Sequence, residues 1–84
     1  MTRRELAREI TKFCYYNNIF DVNKHCYAEM IDAVEINLQK ADYLETISKI
    51  IEDKMNENKK YIKTNQKLNN ILKNIELQKG EVID

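Results

Sequence analysis

The chain has no proline and its only glycine is Gly80, so for 79 residues it lacks the two residue types that most readily interrupt a helix. Helix is favoured nearly throughout, and its limits must be read from weaker signals. Thr2 followed by Glu5 has the spacing of a capping box, in which the hydroxyl and the carboxylate each satisfy an orphan backbone N–H. A first helix is expected to start there and run over residues 3–17. Leu6, Ile10, Phe13 and Cys14 follow at spacings of four and three, which places them on one face. Asn17-Asn18 is the natural stop, since asparagine tolerates the left-handed conformation that closes a helix.

A second helix is expected over residues 22–40, capped by Asp21 or Asn23. Its apolar stripe is Cys26, Met30, Val34, Leu38 and Ala41, flanked by Tyr27 and Ile31. Its opposite face, Glu29, Asp32, Glu35 and Gln39, is acidic. Asp42 and Glu45 make a second box-like start, with an unbroken helix through this step as the alternative, and Leu44, Ile47, Ile51 and Met55 carry the next stripe.

Beyond it the chain is strongly polar from Glu52 to Lys60, and the apolar pattern resumes with Tyr61 and Ile62, then Leu68, Ile71, Leu72 and Ile75. Two architectures compete. A helix unbroken over 42–79 would be about 57 Å long, against a radius of gyration of about 12 Å for a compact chain of this size. It would outrun its own fold, and its seam of Leu44, Ile47, Ile51, Met55, Ile62, Leu68, Leu72 and Ile75 would need a second surface. Asparagines interrupt that seam at Asn58 and Asn65, as they do where a coiled coil fixes register. The alternative is a turn near 56–66 that folds a last helix back onto the first two. The missing breakers favour the long helix, ended by Gly80. The expected fold is thus all-α, a helical hairpin plus a long C-terminal helix (three helices, four if broken), forming a bundle or a coiled-coil-like dimer.

Chemistry-bearing clusters are sparse. His25, Cys26 and Cys14 are the one candidate for a metal or a nucleophile, but adjacent residues on a helix point about 100° apart, and paired zinc-ligand spacings are absent. Cys14 and Cys26 lie on apolar stripes and are expected to pack in the core. The carboxylates of helix 2 recur at helical spacing on its polar side, which describes a solvated face. Phosphate-cradling loops need glycines, and none precedes Gly80. The expectation is a non-enzyme with no catalytic residue, metal or cofactor.

Net charge is zero but sorted along the chain. Residues 1–20 carry four positive and two negative charges, residues 21–53 three and eight, and residues 54–79 seven and two. Arg3, Arg4 and Arg8 crowd a helix N-terminus, where the backbone dipole disfavours cations. Lys59, Lys63 and Lys67 align at i, i+4, with Lys60 beside them. Such residues fit a nucleic-acid backbone or an acidic partner. The simpler reading is that the lysine-rich helix complements acidic helix 2, in the same chain or another. Aromatics gather at the first corner, and Tyr15 and Tyr16 cannot both point inward with Phe13, so at least one is a candidate interface anchor.

The opening Arg3-Arg4-Glu5-Leu6-Ala7-Arg8-Glu9 resembles the first helix of the NusB antitermination factors, small all-α RNA-binding proteins. The resemblance ends there, and Lys12 departs from it at an expected core position.

No apolar run approaches the roughly 18 residues of a membrane span, and the charged start does not resemble a signal peptide. A cytoplasmic protein with reduced thiols is expected. Heavy use of Asn, Ile and Lys fits an AT-rich source such as a low-GC bacterium or its phages and other mobile elements. The expected function is to bind and regulate, inhibit or scaffold a protein partner, as a homodimer joined through helix 2 and the long helix. The alternative is a nucleic-acid-binding regulator that uses the basic residues.

Overall fold

The computed structural model describes residues 1–19, 27–57 and 60–82. Among these the chain is all-α, with helices α1 (Arg3–Tyr16), α2 (Tyr27–Asn37), α3 (Ala41–Glu57) and α4 (Ile62–Glu81). Helix α1 begins as its cap dictates: the Thr2 hydroxyl oxygen accepts from the Glu5 backbone N–H at 3.1 Å. The reciprocal half differs from the expected box, because the Glu5 carboxylate accepts from the Thr2 hydroxyl, not from a backbone amide. The helix stops at the asparagine pair, with Asn17 as C-cap and Asn18 at φ 52°, in the left-handed region. The expected start of helix 2, its caps Asp21 and Asn23, and Phe20, His25 and Cys26 lie outside the described residues.

Two tight turns, Gln39 N–H to the Ile36 carbonyl and Lys40 N–H to the Asn37 carbonyl, separate α2 from α3. A helix does break at the box-like signal, although Asp42 lies in the first turn and is not the cap.

The continuous helix expected over 42–79 does not form. Helix α3 ends at Glu57, α4 starts at Ile62, and the two pack as an antiparallel hairpin. Asn65 explains part of the turn. Its side-chain amide donates to the Met55 carbonyl at 3.3 Å, in the last turn of α3, where carbonyls have no partner within the helix. This asparagine therefore serves a helix end inside one chain, where a coiled-coil seam had been expected. Nor does Gly80 terminate α4: it sits in the last turn without a positive φ, and the helix closes at Val82 in extended conformation.

Folding back supplies the cover that the seam needs. Leu44, Ile47, Ile51, Leu68 and Ile75 are buried, and Met55 and Leu72 pack half-buried against the same cluster. Leu6, Ala7, Ile10, Phe13 and Cys14 join it from α1, Ile31 and Val34 from α2, and Leu38 from the turn. Of the expected self-association seam only Ile62 stays outside, 70% exposed. The premise that these side chains must be covered by a second chain is therefore corrected, because one chain buries them with a radius of gyration of 12.3 Å. Helix α1 is the hub, packing on both α2 and α4. Buried Gln78 locks the far end, its amide donating to the Leu38 carbonyl at 3.1 Å.

Candidate functional site

Charge pairing departs from the expected pattern. The acidic face of α2 is met by Arg4 of α1, which donates to Asp32 and, at 3.1 Å, to Glu35. These hydrogen bonds, to Asp32 first and Glu35 second, raise the already high pKa of the guanidinium. The lysine-rich helix α4 packs on α3 and α1, so within this chain it does not neutralise α2. Among the described residues Lys60, Lys63, Lys67 and Lys73 are exposed and have no carboxylate partner, nor do Arg3 and Arg8. Lys59 lies outside the described residues.

The basic residues do not form one surface. Arg4 is turned to α2, and Arg3 lines a cleft with Gln39, Gln78, Glu81 and Val82. By helical position Arg8 falls near Arg4 and Tyr15 on the flank towards α2, whereas Glu9, Lys12 and Tyr16 turn towards α4. On α4, Lys63 and Lys67 fall on the side nearer α1.

Glu9, Lys12, Tyr16 and Lys67 meet in a groove of about 370 Å3 between α1 and α4, with Lys63 one turn before Lys67 and outside the lining. Phe13, Leu68 and Ile71 form its floor, and Glu9, Lys12, Tyr16, Asn17, Thr64 and Lys67 its walls. The floor is apolar because it is the outer edge of the core. The walls are polar because they are the first positions past the buried stripe on each helix. The groove thus joins Tyr16 and Lys67, two residues singled out from the sequence. It adds Lys12, which stands 4.0 Å from Glu9 and whose signal was its place one turn before Tyr16.

Tyr16 is 73% exposed, whereas Tyr15 is half-buried and makes edge contacts with Tyr16 (ring centroids 5.3 Å apart) and Tyr27 (5.7 Å). One tyrosine of the pair is therefore held against α2 and supports the other, which faces outward. A groove along α3, lined by Asp42, Glu45, Thr46, Lys49, Ile50 and Asp53, has an acidic character instead.

Cys14 is fully buried, and burial pushes its thiol up to about 11. It is a core residue, inaccessible as a nucleophile at neutral pH. Among the described residues no cluster of His, Cys, Asp and Glu is arranged to hold a metal. None of their helices is long and apolar enough to cross a membrane. No family model matches the chain, and no curated protein or solved structure matches it either.

Proposed function

We propose that this chain is a non-catalytic helical module that binds and regulates a protein partner, and that it docks the partner in the α1–α4 groove. The observation that carries the reading is Tyr16, a large ring held in solvent beside an apolar floor. Aromatic anchors at the edge of an apolar patch are typical centres of binding energy. Helices α1 and α4 are fixed by the core beneath them, so the groove is preorganised and little ordering cost falls on binding.

The test is site-specific photo-crosslinking in the native host. A photoreactive residue at Tyr16 is expected to trap one protein species, and the same residue at Glu45 on the α3 face is expected not to. Equal labelling from both sites, or none from Tyr16, removes the reading.

Unpaired Lys60, Lys63 and Lys67 favour a second reading, in which the chain binds nucleic acid. Such binding weakens steeply with salt because counterions are released. The engagement of Arg4 with Asp32 and Glu35, and the separation of Arg3 from the lysines, weigh against a continuous phosphate track. A homodimer loses its motive once the seam is internal, and a monomeric mass is the expectation.

A further inference from the structure

We infer that the occupant of the α1–α4 groove is an acidic amphipathic helix, a segment whose apolar side chains enter between α1 and α4 while its carboxylates meet Lys12, Lys63 and Lys67. The inference rests on the protein-docking reading above and specifies the chemistry of the partner. Three observations carry it.

The first is shape. The groove is an open trough between two packed helices, with a floor of Phe13, Leu68 and Ile71. At about 370 Å3 it has room for a few side chains from one face of a helix.

The second is charge. Lys12 on one wall, 4.0 Å from Glu9, and Lys67 on the other line a groove whose one carboxylate is Glu9, and Lys63 lies one turn before Lys67, just outside the lining. Lys63 and Lys67 have no carboxylate within this chain among the described residues, so their charge is available to a partner. Cations flanking an apolar strip complement a helix with acidic flanks and repel one with basic flanks.

The third is what the groove lacks for nucleic acid. A phosphate chain needs cations in sequence along its path, whereas here an apolar floor separates them and Glu9 stands at the lip. Tyr16 offers the one exposed aromatic among the residues that line it, where successive bases would each need a platform.

The test uses the full chain and two synthetic peptides of about four helical turns, both with leucines at i, i+4, i+7 and i+11. One carries glutamates on the flanks of that stripe and the other lysines, and binding is read by fluorescence anisotropy of the labelled peptide. The acidic peptide is expected to bind more tightly than the basic one by about tenfold at low salt, the scale of two exposed ion pairs gained or opposed. The difference is expected to shrink as salt screens it. In a Lys12→Glu, Lys67→Glu chain the preference is expected to reverse. Both positions are on the surface, and unchanged helical circular dichroism confirms that this variant folds.

Equal affinity for the two peptides, or a preference untouched by the charge reversal, overturns the inference. So does a short RNA or DNA that displaces the acidic peptide and binds more tightly than it does. If neither peptide binds while the Tyr16 crosslink still traps a protein, docking in the groove stands and the acidic helix is wrong. If the crosslink also fails, both readings fall together.

Discussion

Replacing Ile75 with alanine separates a chain that closes on itself from one that needs a partner to cover α4. Ile75 is fully buried in the cluster shared by all four helices. The substitution removes three carbons, which at about 0.8 kcal/mol each is a transfer loss of about 2.4 kcal/mol. The incompletely collapsed cavity adds to this, for a total of about 3–4 kcal/mol. A chain of this length has about 4–13 kcal/mol of stability in all, so a large share disappears. With each kcal/mol worth roughly 4–8 °C in a domain of this size, Tm is expected to fall by roughly 12–30 °C. Leu77→Ala is the control two residues away: Leu77 is 71% exposed, and its loss is expected to change stability by no more than about 0.5 kcal/mol. Urea and thermal unfolding followed by circular dichroism supply both numbers. The melts are to be repeated over a hundredfold range of protein concentration. Closure within one chain requires a Tm independent of concentration for both proteins. A Tm that climbs with concentration, or an Ile75→Ala loss as small as that of Leu77→Ala, would refute the account of α4 as part of its own chain's core.

Two further outcomes follow from buried polar groups. Gln78→Ala leaves the Leu38 carbonyl without the donor it has at 3.1 Å, and equilibrium unfolding is expected to show a loss of about 1–3 kcal/mol. A loss below about 0.5 kcal/mol, the surface level, would mean that the bond holds nothing in place. Alkali should also destabilise the fold, because burial raises the Cys14 thiol from 9.0 to about 11 and the Tyr43 phenol from 10.0 to about 12. Between the unfolded and folded values the unfolded chain has released a proton that the folded chain retains. Stability is therefore full below about pH 9 and falls as pH rises towards about 12. Urea midpoints measured across that window are expected to drop less steeply in a Cys14→Ala, Tyr43→Phe chain, and parallel curves would contradict the assignment.

Local signals in the sequence read true where short-range geometry decides. Thr2 with Glu5, the Asn17-Asn18 stop and the interruption near Ala41 depend on residues within one turn of each other, and each marks a helix limit in the fold, although the reciprocal half of the Thr2–Glu5 box does not form and Asp42 is not a cap. The helix stripes identify most of the buried side chains, since burial follows period, but they include exposed Ile62 and pass beside buried Ile31 and Ile71. The α3–α4 break was harder to read because no residue forces it. Every residue from Asn56 to Lys60 tolerates helix, and the turn exists because folding back buries Leu68, Ile71 and Ile75. The polar gap from Glu52 to Lys60 was the available clue, but propensity outweighed it. Within one chain the acidic face has a different partner from the lysine-rich helix, for a similar reason. Composition pointed to the seven cations of residues 54–79, while packing placed α1 beside α2 and let Arg4 reach Asp32 and Glu35 first. The groove was legible only as fragments, Tyr16 and Lys67, because its walls come from helices separated by more than 40 residues.

The contact between α1 and α4 also sets an order of events during synthesis. A ribosome makes α1 first and α4 last, so Phe13 and Ile10 emerge long before Leu68, Ile71 and Ile75 exist to shield them. The hairpins α1–α2 and α3–α4 can each form from neighbouring sequence, but neither encloses the shared interior alone. Until α4 has been translated, the nascent polypeptide carries the bare hydrophobic surface of α1 that Leu68, Ile71 and Ile75 later cover.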